Sequence, residues 1–255
     1  MTRIVIISDT QIPFDDRKAL KALITFIGDY QPAEVLHIGD LMDYPSPSRW
    51  TKGTAEEFRQ RIKPDSEQAK RRFLAPLRAV YDGPVGVLEG NHDERPREYL
   101  HKYAPALAEY ANDFRFENLL DFDGFGVEVR PEFYKVAPGW IATHGHRGGI
   151  RLSQKAGDTA LNAAIRFNTS VVMGHTHRLG LKPESRGYGG KVNQLIWGME
   201  VGNLMNMKLA TYLKGGTANW QQGFGLLTVT GSHVQPEVIP ISSGGFTVHG
   251  DFWGI

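Results

Sequence analysis

Five short apolar runs each end on a residue able to hold a cation, and this repetition narrows the folds open to the 255-residue chain more than any other feature. Residues 35–38 stop at Gly39 and Asp40, residues 4–8 at Asp9, and residues 85–89 at Gly90, Asn91, His92 and Asp93. Residues 140–143 stop at His144, Gly145 and His146, and residues 170–173 at Gly174, His175, Thr176 and His177. Apolar runs this short, closed by turn residues, predict buried strands. An open α/β sheet binds its ligands beyond the carboxyl ends of such strands. Asp, Asn and His from distant parts of the chain are therefore expected to meet around metal ions.

Taken in order, the chain predicts a strand at residues 2–8 and a helix over 16–29. The helix carries an apolar stripe at Ala19, Leu20, Leu23, Ile24 and Ile27, with Asp15 or Asp16 as its N-cap. The next strand ends at Asp40, so the opening is a βαβ unit and the class is α/β. A Pro- and Ser-rich loop follows over 44–53. Thr54 with Glu57 has the form of a capping box, predicting a charged helical segment to Tyr81 that Pro64 kinks or divides. Residues 95–112 predict helix divided at Pro105, residues 122–129 and 139–143 strands, and residues 153–167 a helix. Beyond Gly180 the chain predicts mainly strands, over 192–201, 225–230, 234–241 and 246–249, completing a second sheet. With no internal repeat, low-complexity tract or linker, residues 1–255 are expected to form one domain.

Composition excludes more than it selects. A formal net charge of +1 gives no broad basic surface for long nucleic acid or an acidic membrane. The absence of cysteine removes disulfides and thiolate ligands and suits a reducing compartment. No apolar run approaches the ~20 residues of a membrane helix or forms a secretory leader, so a cytoplasmic protein is expected. The glycine pairs lack the strand–Gly–helix context and the Lys-Ser/Thr ending of a P-loop, and no Gly-x-Ser-x-Gly elbow occurs.

The ordered blocks Asp9-Thr10-Gln11, Gly39-Asp40-x-x-Asp43, Gly90-Asn91-His92-Asp93, His144-Gly145-His146 and Gly174-His175-Thr176-His177 resemble those of the calcineurin-like metallophosphoesterases. The resemblance spans about two-thirds of the chain. Each block alone is common, but all five in this order are specific. The chain is also similar to small phosphodiesterases encoded by actinobacterial phages. The family resemblance implies an α/β/β/α sandwich of two mixed sheets flanked by helices. It implies two divalent cations, with Asp9 and His177 on the first, Asn91, His144 and His175 on the second, and Asp40 bridging both. Oxygen and imidazole donors without thiolate suit Mn²⁺ (favoured), Fe, Zn²⁺ or Ni²⁺. The implied reaction is in-line attack on phosphorus by a metal-bridging hydroxide, with His92 assisting the leaving group and Asp43 orienting His92. One position departs from the family: a His is usual where Gln11 stands. A neutral amide is the weaker ligand, so Gln11 either coordinates, holds a water, or leaves the first site loosely filled.

The expected substrate is a small phosphodiester, such as a cyclic nucleotide. His146, Arg147 and Arg178 lie in or beside the motif loops and are candidate substrate contacts; Arg49, Arg95 and Arg97 are weaker ones. Tyr44 and Trp50 offer rings for a base or simply anchor their loop, and the Asn219–Phe224 stretch either walls the pocket or turns a hairpin. His37 is expected to be packed. His101, His233 and His249 show no pattern and are expected at the surface. Two other readings of the same fold are a scaffold that has lost its chemistry, as the retromer subunit of this family has, and a DNA nuclease. Retention of His92 weighs against the scaffold. The nuclease branch carries added duplex-binding regions for which this chain has little spare length.

Overall fold

The computed structural model describes residues 1–210 and 218–255. The first sheet grows from four parallel strands, β1 (Thr2–Ile7), β2 (Glu34–His37), β3 (Val85–Leu88) and β4 (Val127–Arg130). A second sheet contains β5 (Tyr134–Ala137), β6 (Trp140–Thr143), β7 (Ser170–Met173), β8 (Leu179–Tyr188) and β9 (Lys191–Val201). Its spatial order is β5-β6-β7-β9-β8, parallel at the centre with an antiparallel strand at each edge.

The strands at the end of the chain divide. β10 (Gly223–Thr230) and β11 (His233–Pro240) return to the first sheet, β10 lying antiparallel to β1 with Ile4 opposite Leu227. β12 (Gly245–Val248) and β13 (Asp251–Gly254) pair only with each other. This corrects the expectation that the whole tail completes the second sheet. A strand's own alternation says that one face is buried; it does not say which edge takes the strand.

The sheets stack face to face. Ile4, Ile6, Leu36 and Ile38 from the first meet Trp140, Ala142, Val172, Met199 and Val201 from the second in one apolar layer. The outer face of the first sheet is covered by helix Arg17–Tyr30 and the helical segment from Ile62 to Arg78. Helix Asp158–Phe167 covers the second through Ala160, Ala163 and Ala164. These are the four layers expected of a metallophosphoesterase fold.

Local chemistry explains most boundaries. Asp16 caps the first helix, its Oδ1 accepting from Lys18 N at 3.1 Å and Ala19 N at 3.2 Å. Thr54 and Glu57 form no capping box. Thr54 Oγ1 donates to Thr51 O, Glu57 accepts from Gly53 N and Tyr99 Oη, and residues 51–58 are turns. The helix begins at Ile62, so Pro64 falls in its first turn, where its missing N–H is harmless; a π-helical turn, Lys70–Leu74, interrupts the segment instead. Residues 122–125 form a helical turn before β4, and the helix expected from 153 begins at Asp158. Two strands, β5 and β8, and the closing β13 lie outside the expected runs.

Candidate metal centre

The carboxyl ends of β1, β2, β3, β6 and β7 release their polar residues toward one another. Backbone hydrogen bonds stitch the tips together: Asp9 N donates to Gly39 O, Gln11 N to Asp40 O and Leu204 N to Asp9 O. Left-handed backbone recurs there, at Asp9 (φ 51°), Gln11 (49°), Asp40 (55°), His175 (65°) and His177 (58°). Each such residue costs about 1–2 kcal/mol against right-handed backbone, strain that persists where surrounding structure over-determines it. Glycine serves where even that is insufficient. Gly39 has φ 100°, and a Cβ there would lie 2.5 Å from His144 Nδ1; a Cβ on Gly90 would lie 2.2 Å from Asp40 Oδ1.

Asp40 is buried at the middle of the cluster. Its Oδ1 accepts from His92 N at 2.8 Å, and its Oδ2 lies 3.3 Å from His144 Nε2 and 3.8 Å from His92 Nε2. The ligand atoms of Asp40, His144 and His175 all fall within 4.8 Å of one another. His144 Nδ1 meets Ile38 O at 2.9 Å; a carbonyl only accepts, so Nδ1 carries the proton. The opposite nitrogen, Nε2, then turns a lone pair toward Asp40 and toward Asn91 Oδ1 at 3.2 Å. Acceptors facing acceptors need a positive charge between them. In the metal-free chain a proton supplies it. Burial opposes charge on His144, but the Asp40 carboxylate prevails and lifts the imidazole to about 10. Asp40 is held well below the usual carboxylate range: burial pushes it up, and His144 and His92 more than offset that. His175 is lowered to about 4 by burial and by His144, so it is neutral and fit to ligate.

A second set of donors lies beside the first. Asp9 Oδ2 accepts from Ser8 Oγ at 2.6 Å and His175 N at 2.9 Å, while its buried Oδ1 has no hydrogen-bond partner and lies 3.2 Å from His177 Nε2. Burial works against ionisation of Asp9, yet His177 draws its carboxyl below the ordinary value. Gln11, also buried, places Nε2 3.0 Å from His177 Nε2 and leaves Oε1 without a partner. The Trp220 ring lies 4.4 Å from that of His177, so Trp220 walls this side. Unpartnered buried oxygens of Asp9 and Gln11 beside the His177 imidazole nitrogen have the donor chemistry of a cation site.

His92 stands at the edge. Its Nδ1 is 2.6 Å from Asp43 Oδ1, and Arg95 Nη2 lies 3.0 Å from its Nε2 while Arg95 Nη1 donates to Asp43 O. His146 is lowered to about 3 by burial, His144 and Arg147; Arg147 Nε donates to it at 2.8 Å and Arg147 Nη2 pairs with Glu94. Arg178 donates from Nη2 to Gln154 at 3.2 Å, and its Nε is buried without a hydrogen-bond partner.

Several supports are not evident from the sequence. Asp93 accepts from Asp40 N, Met42 N and Gly90 N, each at 2.8 Å, and so joins two strand tips. Glu200, fully buried, accepts from Thr159 N, Ala160 N and Thr176 Oγ1, fixing the loop between His175 and His177. Asn203 Nδ2 donates to His177 O at 3.0 Å. A charged residue inside the apolar run of β9 is the one sequence signal that marks Glu200.

This fold and cluster define a metal-dependent phosphoesterase, and the chain belongs to the calcineurin-like phosphoesterase family, whose model matches residues 2–179. It is 75% identical to the Gene 54 protein of Mycobacterium phage D29 over 253 residues and 72% identical to that of Mycobacterium phage L5, covering 99% of each chain in both cases. Among solved structures it is similar to Vacuolar Protein Sorting 29 of Cryptosporidium parvum (TM-score 0.48, 15% identity, 100% of this chain and 98% of that one). It is also similar to the E. coli phosphoesterase YfcE (TM-score 0.41, 15% identity, 89% and 88%). No helix among the described residues is long and apolar enough to cross a membrane.

Proposed function

We propose that the chain is a dinuclear phosphodiesterase acting on small nucleotides such as cyclic nucleotides. The observation that carries this reading is the position of Asp40: the Oδ2 of this buried carboxylate lies 3.3 Å from His144 Nε2 and 3.8 Å from His92 Nε2, and Asp40 acts on Asp9, whose own partner is His177. Asp9, His177 and Asp40, with Gln11, would hold one cation, and Asp40, Asn91, His144 and His175 the other. Divalent cations there, Mn²⁺ by preference, would supply an activated water and neutralise the phosphate oxygens that repel it.

The chain's own groups do the rest. Asp43 Oδ1 accepts a hydrogen bond from His92 Nδ1–H, fixing the ring so that Nε2 is turned toward Asp40. In this arrangement Nε2 accepts from Arg95 Nη2; with Arg95 turned to the substrate, Nε2 would carry a proton and give it to the leaving oxygen as the P–O bond breaks. Arg95 brings a second donor to the same position, where it opposes charge developing on that oxygen. Retention of the His92–Asp43 pair favours an enzyme over a scaffold of the same fold.

The test is hydrolysis of bis-p-nitrophenyl phosphate, p-nitrophenyl phosphate, cyclic nucleotides and single-stranded DNA, with Mn²⁺ and with chelator. Diesters should be cleaved faster than the monoester, with loss of activity under chelation. His92→Ala should lower kcat about 10²-fold or more at unchanged metal content. Activity that survives full chelation, or normal turnover by His92→Ala, contradicts the reading.

A further inference from the structure

A groove of about 360 Å³ opens beside Asn91, between the loop carrying Arg49 and Trp50 and helix Arg95–Tyr103. That volume lies at the small end of ligand pockets, about 300–1,000 Å³. Its walls combine aromatic rings, the cations Arg49, Arg95 and Lys102, and the carboxylates Glu94 and Glu98. Trp50 is 75% exposed, a large apolar ring left at the lip of the groove, and the Arg49 guanidinium lies 4.6 Å from its centroid. Opposite, Tyr99 and Tyr103 pack with ring centroids 4.8 Å apart, and Lys52 Nζ lies over the Tyr103 ring. The other aromatic residue of this loop, Tyr44, is fully buried and bonded to Ser66 Oγ at 2.8 Å, so it takes no part.

We propose that this groove receives the base of the substrate nucleotide, with Trp50 as its stacking platform and a specificity-determining residue. The inference rests on the phosphodiesterase reading and goes beyond it in two respects. It names the moiety recognised, a nucleoside rather than any alcohol. It also fixes which side of phosphorus that moiety occupies. Asn91 and Arg95 line both the groove and the centre, and Arg95 touches His92 Nε2, so the groove adjoins the leaving-group side. The ribose oxygen on the groove side is therefore the one released: water oxygen bonds to phosphorus, the P–O bond to that oxygen breaks, the oxygen takes a proton from His92, and the second ribose ester of a cyclic nucleotide stays intact, leaving a nucleoside monophosphate. A π-face recognises any base, which predicts broad base tolerance.

The experiment measures kcat and KM for a cyclic nucleotide, and for the same ribose cyclic phosphate lacking the base, in Mn²⁺-loaded wild type, Trp50→Ala and Trp50→Phe. Val192→Ser, on the distant β9 strand, serves as control. Calorimetric binding of AMP is measured in parallel. Trp50→Ala should raise nucleotide KM about ten-fold or more, the size that stacking on one ring carries, with kcat within about two-fold. Trp50→Phe should recover most of the loss, the base-free phosphate should bind wild type as weakly as the nucleotide binds Trp50→Ala, and Val192→Ser should match wild type. An unchanged nucleotide KM in Trp50→Ala, or equal KM for the two substrates in wild type, overturns the groove assignment. If wild type cleaves no diester at all, the phosphodiesterase reading fails, and the binding arm decides the groove: AMP affinity lost in Trp50→Ala supports it, and equal affinity overturns it.

Discussion

Single side chains at the centre are arranged as acceptors in search of positive charge. His144 shows how one such position is set. The Ile38 carbonyl accepts from Nδ1–H, and Nε2 is turned toward two oxygens. Gln11 stands where the motif resemblance leads one to expect a His, and its amide lies against His177 with Oε1 unpartnered. An imidazole there would add a stronger donor for a first-row cation. Gln11→His should therefore tighten the weaker manganese site about ten-fold or more, read as its Kd by calorimetric titration of the chelated protein. An unchanged Kd would show that position 11 does not ligate.

At the scale of elements, what matters is how a strand tip is turned. The left-handed residues beyond β1, β2 and β7 swing Asp9, Asp40, His175 and His177 inward, and Gly39 and Gly90 let the tips approach. Gly39→Ala would put a Cβ into the His144 ring on backbone that already disfavours a side chain. It should destabilise the protein by about 2 kcal/mol or more in urea unfolding and lower metal content with it. Wild-type stability with full metal content would contradict this account of the tip. Apolar run, glycine and ligand are adjacent in sequence, which is why these tips are legible without coordinates. The supports are not. Glu200 reaches Thr176 across 24 positions and Asp93 reaches Met42 across 51, and no local pattern encodes such pairings. Residues 51–58 carry the letters of a capping box but spend the Glu57 carboxylate on Gly53 and Tyr99 instead.

For the whole molecule, two sheets bury an apolar layer while their strand ends bring ionisable groups out of water, so stability depends on pH. His37 lies fully buried behind the centre, 2.8 Å from Thr10 Oγ1, and burial lowers its imidazole from 6.5 to about 3. The folded state then binds fewer protons than the unfolded chain below pH 6.5, and stability that is fully present above that value is lost as pH falls. Between pH 7.5 and 5.5 this should cost metal-free wild type about 1 kcal/mol relative to His37→Gln, measured by urea unfolding at each pH. Identical pH profiles for the two proteins would show that His37 is not held neutral. The four-layer arrangement follows from the resemblance of motifs, and the helix capped by Asp16 from its apolar stripe. The return of β10 and β11 to β1 does not, because alternation marks a buried face without naming the neighbour.

The central claim is that one buried carboxylate is shared by two cations. Anomalous diffraction from crystals grown with manganese tests it most directly. The account predicts two peaks flanking Asp40, one toward Asp9 and His177 and one toward Asn91, His144 and His175, with both absent in Asp40→Ala. A single peak away from Asp40, or both peaks retained in Asp40→Ala, would contradict it.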